Sequence, residues 1–306
     1  MLSCISFWST RHGISPPDAP ADADPLETTL AAVAEAGFDG IEMCIGRPGE
    51  RGVFSTDDDA RRCAAIRQAI DDAGLVCETA ASGMSWTSNP VSEDADVRAA
   101  SLAEHEEALR RAADLGAEAL LYVPGVTTSP ISPGERVRYD HAWRRVRENV
   151  ARLLDTAERL GIDLCLENVW NGLFYSPLEL AAFVDGFGSE RLGVYLDVGN
   201  LPGLHQHPPH WIEILDHRIR RVHVKDYAES FGEGQYAFRE LTRGDVPLVE
   251  SVAALRSIGY DRTVTAEIMP WRPGLLADTA ASLRDLIHPE AQGPDATTPQ
   301  RMAGAR

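Results

Sequence analysis

Short, nearly continuous apolar runs alternate along the chain with longer stretches in which apolar positions recur at helical spacing. The short runs predict strands at 2–8, 40–45, 75–80, 119–124, 163–168, 192–197, 219–225 and 263–268. Most lack a polar face, as parallel strands covered by helices do. Amphipathic helices are predicted at 26–36, 57–73, 94–115 and 141–160, with shorter ones at 177–186, 208–217, 246–258 and 275–287. Gly37, Gly74, Gly116, Gly161 and Gly259 each stand between a helix and the next strand, where a helix commonly ends in a left-handed residue. Eight βα units in one chain of 306 residues predict an α/β fold, a (β/α)8 TIM barrel over residues 1–288. A doubly wound sheet is the competing architecture, but no Gly-x-Gly-x-x-Gly turn comes after the first strand. Residues 289–306 are rich in Pro, Gly, Ala and Thr and read as a flexible tail.

Each of the last four predicted strands carries a metal-capable side chain at its C-terminal end. Glu167 ends the fifth, Asp197 the sixth, and Glu267 the eighth, while His223 lies near the end of the seventh. Catalytic groups of this fold sit at those ends. Three carboxylates converging there beside an imidazole repel one another unless a cation joins them. Mostly oxygen donors with one imidazole suit Mn2+, Mg2+ or Co2+ with open positions better than a closed zinc site.

Composition narrows the function classes. The formal net charge of −18 argues against a nucleic-acid surface and against an anionic membrane. No apolar run is long enough to span a bilayer, and the N-terminus lacks the pattern of a signal peptide. Cys4, Cys44, Cys63, Cys77 and Cys165 include no Cys-x-x-Cys pair, and they read as buried thiols of a cytoplasmic protein. All basic residues are Arg except Lys225, the sole lysine. His205-Gln-His207-Pro-Pro-His210 reads as a solvent-facing loop entering a helix rather than a second metal site. Phe231-Gly-Glu-Gly234 is not a phosphate loop, since it does not join a strand to a helix.

Glu167-Asn168-Val169-Trp170-Asn171, Asp197-Val198-Gly199-Asn200, His223-Val224-Lys225-Asp226 and Ala266-Glu267-Ile268, in this order, resemble the xylose isomerase-like barrel family of sugar and sugar-phosphate isomerases and epimerases. The resemblance implies a metal held by Glu167, Asp197, His223 and Glu267. It also implies that Glu167 and Glu267 are the acid/base pair on opposite faces of the substrate. Free-ketose epimerases of the family often carry His where Asn200 stands and Glu where Leu173 stands. The Asp-x-Gly-Asn and His-x-Lys-Asp versions look closer to pentulose-phosphate 3-epimerases. Members often dimerise, so the resemblance also implies a homodimer or a partner subunit. DNA-repair endonucleases share this barrel in the wider superfamily, and the net charge speaks against that class.

These residues point to a metal-dependent isomerase of the epimerase type acting on a small carbohydrate. A carboxylate removes the proton beside a carbonyl, and a metal stabilises the resulting enediolate. Two alternatives stay open: a lyase or dehydratase acting on a 3-oxo-glycoside or keto-inositol, and a non-catalytic sugar-binding protein. Asn168, Asn200, Lys225, Trp170 and Glu42 are the candidate substrate contacts. For Lys225 the competing reading is an ion pair with Asp226, and for Glu42 and Glu78 it is a polar edge position. Trp8, Trp86 and Trp271 are further candidate walls of the pocket, and Arg11 and His12 come just after the first strand.

Overall fold

A computed structural model describes residues 1–13, 25–50, 52–132, 134–230 and 235–289. Strands β1 (Leu2–Ser6), β2 (Gly40–Ile45), β3 (Thr79–Ser82), β4 (Ala119–Tyr122), β5 (Asp163–Glu167), β6 (Leu192–Asp197) and β7 (Ile219–Val224) are parallel neighbours in chain order. After β7 the chain makes a two-stranded hairpin, β8 (Asp226–Ser230) and β9 (Gln235–Arg239). Strand β10 (Thr263–Ala266) then pairs with both β7 and β1 and closes the barrel.

The outer ring is α1 (Pro25–Ala36), α2 (Ala60–Asp72), α3 (Ala95–Leu115), α4 (Tyr139–Leu160), α5 (Pro177–Asp185), α6 (Pro208–Leu215), α7 (Leu248–Ser257) and α8 (Leu275–Ile287). Helix starts reflect local chemistry. Asp59 accepts from the Arg62 amide, Asp94 from Asp96, and Ser176 from Leu178 with Pro177 in the first turn. Gly116 and Gly161 end α3 and α4 at φ 82° and 71°, a conformation costly for any side chain with a Cβ. The strands are buried along nearly their whole length, which explains their apolar sequence.

The predicted barrel is therefore present, with two differences. The third strand begins at Thr79 and not at Leu75, and the β8–β9 hairpin was not predicted. The shift of β3 matters for Glu78. It precedes the strand, and its Oε2 lies 3.8 Å from Arg221, whose NH2 also donates to Glu118 at 2.8 Å. Glu78 thus belongs to an ion-pair network at the end of the barrel opposite the chemistry. All five cysteines are free and buried. No described helix is long and apolar enough to cross a membrane. The proposed tail from residue 290 onward, and Phe231–Gly234, lie outside the described residues.

Candidate metal centre

The barrel brings Glu167, Asp197, His223 and Glu267 together. One donor atom from each lies within 4.8 Å of all the others, and all four residues are buried. β5, β6, β7 and β10 run side by side in the wall, so four strand ends converge on one point. Backbone geometry aims them. Asp197 Oδ1 accepts from the Gly199 and Asn200 amides at 2.8 and 3.2 Å, which leaves Oδ2 facing the cluster. Ser9 Oγ accepts from the Ile268 amide at 2.7 Å and pins the chain just after Glu267 to the end of β1.

Glu42 lies beneath this cluster and is fully buried. Its Oε1 accepts from His223 Nε2 at 2.9 Å. Its Oε2 accepts from Thr79 Oγ1 at 3.0 Å and from the Tyr195 hydroxyl. With the Nε2 proton committed to Glu42, His223 Nδ1 is a buried nitrogen without a hydrogen-bond partner, 4.0 Å from Glu267 Oε2. An imidazole held through one nitrogen by a carboxylate, with the other aimed into acidic oxygens, is how a metal-ligating histidine is oriented. The donor set therefore fits a divalent cation.

The electrostatics agree with that crowding. Burial raises the Glu167 pKa, and the nearby Glu267 and Asp197 carboxylates add to it, to about 8. Burial also raises Asp197, partly opposed by Lys225. For Glu267 burial works in the same sense, yet Lys225 and His223 outweigh it and hold the group below the ordinary carboxylate value. Burial lowers His223, but Glu42 and then the other carboxylates overcome this and bring it to about 9.

Among the other sequence-predicted residues, Lys225 reaches into the cluster. Its Nζ lies 2.7 Å from Asp197 Oδ2 and 2.6 Å from Glu267 Oε2. It does not pair with Asp226, whose carboxylate accepts from the Tyr227, Gly244 and Val246 amides and fixes the chain around the hairpin. Asn168 and Asn200 are buried and engaged with backbone. Asn168 exchanges two 2.8 Å bonds with the main chain of Asp197, and Asn200 donates to the Asn168 carbonyl at 3.0 Å. They tie the end of β5 to the end of β6.

Trp170 donates to the Asn200 carbonyl at 2.8 Å and stacks on Phe238 of the hairpin at 5.1 Å. It lines a cavity of about 390 Å³ with Leu173, Tyr175, Leu204 and Tyr227. Trp8 lines a second cavity of about 390 Å³ over the ends of β1 to β3, with Cys44, Gly83 and Met84. Arg11, His12 and Trp271 border a separate cavity of about 600 Å³ beside α1 and α8. His205, His207 and His210 form no metal cluster among the described residues; His205 and His207 lie 4.0 and 3.8 Å from Glu229 and Glu250.

Sequence reasoning missed Tyr195, Thr79 and Phe238. The first had a usable signal: Tyr195 is two residues before Asp197 on one strand, so both face the barrel interior. Phe238 had none, because the hairpin that carries it lies outside the βα rhythm.

The chain is 29% identical to the D-psicose 3-epimerase of Agrobacterium fabrum over 276 residues, 84% of each protein. A solved D-psicose 3-epimerase superposes with a TM-score of 0.69 at 25% identity, covering 92% of this chain and 90% of that one. A 3-oxo-isoapionate decarboxylase of Pectobacterium atrosepticum is 28% identical over 160 residues, 47% of this chain and 57% of that protein. Residues 30–286, nearly the whole barrel and all four clustered ligands, match the xylose isomerase-like TIM barrel family, and the chain belongs to it.

Proposed function

We propose that the protein is a metal-dependent sugar epimerase that moves a proton beside a carbonyl, with Glu167 and Glu267 as its acid/base pair. The observation that carries this reading is a buried donor cluster in which Glu167 and Glu267, from strands that are not neighbours in the barrel wall, come within 4.8 Å of each other together with Asp197 and His223. Two carboxylates placed on either side of one carbon can serve in turn as base and acid.

The two strands that carry them are separated in the barrel wall by β6 and β7, so the carboxylates approach bound substrate from different sides. Glu267 takes the proton from the carbon beside the carbonyl. Glu167 returns one to the opposite face, and the configuration inverts. In the reverse direction the roles exchange. A divalent metal would be held by Glu167, Asp197, His223 and Glu267 and would supply a Lewis acid for the charge that develops on substrate oxygens. The donor set suits Mn2+ best, with Mg2+ or Co2+ as alternatives. Asp197 and His223 would fix the ion, and Glu42 positions His223 from below. Trp170 and Phe238 form an aromatic wall beside the site, suited to the apolar face of a small carbohydrate.

The names of the relatives support epimerisation at a sugar carbon. A second reading keeps the first proton transfer and changes the fate of the carbanion. Where a leaving group lies β to the carbonyl, as in a 3-oxo-glycoside or keto-inositol, the same carbanion expels it. A decarboxylase is itself a lyase, so the partial match to 3-oxo-isoapionate decarboxylase supports a bond-breaking outcome in general and not this elimination in particular. The test is turnover of ketoses, pentulose phosphates and 3-oxo-glycosides by Glu167→Gln and Glu267→Gln proteins. Each substitution is expected to lower turnover by about 10²- to 10⁴-fold. Wild-type turnover in either would remove that residue from the acid/base pair, and an alkene product in place of an epimer would favour elimination.

A further inference from the structure

Lys225 is the only lysine of the chain, and its ammonium ends inside the ligand set. It contacts Asp197 Oδ2 at 2.7 Å and Glu267 Oε2 at 2.6 Å, oxygens of two of the four clustered residues. Its sequence neighbour Asp226 is taken up by three backbone amides, so the lysine's carboxylate partners are both candidate metal ligands. The stem runs tight against the turn after β6, where a Cβ on Gly199 would lie 2.3 Å from Lys225 Cγ. Beyond the carboxylates, the ring of Phe238 faces Nζ with its centroid 4.9 Å away. Every other basic residue is Arg, a broad planar group that grips carboxylates with a rigid fork. A lysine ammonium is a compact charge on a flexible stem, able to withdraw along the path by which it entered.

We propose that Lys225 is a displaceable counter-cation built into the metal centre: its ammonium holds Asp197 and Glu267 at ligand spacing until a divalent ion takes their oxygens. On this inference, which rests on the metal-centre reading above, the ion binds by exchange for an ammonium and not into bare carboxylates. The exchange weakens metal binding, because each binding event breaks two short buried ion pairs. It also keeps the metal-free barrel folded, since uncompensated buried carboxylates would repel. The face of Phe238, already 4.9 Å from Nζ, remains for the displaced ammonium, which there supplies a positive charge at the edge of the substrate space.

The test is Mn2+ titration by calorimetry on purified wild-type and Lys225→Met proteins, with thermal melts in chelator and in excess Mn2+. Met keeps the length of the stem and removes the charge. Expected are a Kd at least about tenfold lower in the variant, equal to about 1.4 kcal/mol, a lower melting temperature in chelator and a larger rise on adding Mn2+. An unchanged or higher Kd in the variant, with wild type binding normally, would overturn the inference and leave the metal centre intact. Failure of wild type to bind Mn2+ would overturn both. Should Lys225→Met not fold, wild-type protein grown on 15N-lysine gives one ammonium signal. Its protons are expected to be protected from solvent exchange in chelator and to lose that protection on saturation with Mg2+. Protection that persists in Mg2+ would overturn the inference.

Discussion

Replacing Glu42 by Gln isolates the support under His223. The substitution keeps the size of the side chain and removes its charge. The Gln oxygen can still accept from His223 Nε2, now at 2.9 Å from Glu42 Oε1. The amide end meets Thr79 and Tyr195, whose hydroxyls can turn to accept where they now donate. Hydrogen bonds are therefore largely retained, and what is lost is the negative charge that makes the imidazole a stronger donor to a metal. Loss of such support typically weakens metal binding about 10- to 100-fold, or roughly 1.4–2.8 kcal/mol. Because the buried Glu42 carboxylate is taken up by His223, Thr79 and Tyr195, the Michaelis constant at saturating metal is expected to move little. The assay is Mn2+ affinity by calorimetry, beside turnover measured against metal concentration. Unchanged affinity, or a large rise in the Michaelis constant at saturating metal, would refute the placement of Glu42 beneath the metal centre.

Burial lowers His105 from 6.5 to about 4, and its ring is held between Ser101 and Ser85. The folded state thus prefers the neutral ring, and the unfolded state binds the extra proton first. Its contribution, at most roughly 3 kcal/mol, is complete above pH 6.5 and lost as pH falls towards 4. Urea unfolding between pH 7 and 4 should show a loss in wild type that His105→Gln lacks; identical pH profiles would count against it. Gly199→Ala would drive a Cβ to 2.6 Å from the Lys225 carbonyl as well as against its side chain. It should cost about 1–3 kcal/mol of stability and lower activity, and a wild-type melting temperature would contradict that packing.

Strands and ligands were legible for the same reason. A buried parallel strand must be apolar along its length, so a carboxylate closing such a run stands out, as Glu167, Asp197 and Glu267 do. The helix ends were legible where glycine takes a left-handed turn, as at Gly116 and Gly161. β3 was misplaced because Leu75 and Cys77 are buried before the strand begins, and apolarity alone does not separate a buried approach from a paired strand. The neighbours of the ligands were harder to read. Glu42 stood out in the sequence as a substrate contact or a polar edge position, and only folding brings it against His223, 181 positions away in sequence. Asn168 and Asn200 had the composition of substrate contacts, but their side chains meet backbone groups freed where β5 and β6 end.

Proton abstraction beside a carbonyl is tested most directly by solvent exchange. Metal-loaded protein is incubated in heavy water with ketoses, pentulose phosphates and 3-oxo-glycosides, then protein and metal are removed and proton NMR is recorded. Deuterium is expected at the carbon beside the carbonyl of at least one compound, with an epimer appearing. Chelated protein is expected to give no exchange, and Glu267→Gln strongly slowed exchange. Absence of exchange from every compound with metal confirmed bound, or exchange at the wild-type rate in Glu267→Gln, would contradict proton transfer through this carboxylate pair.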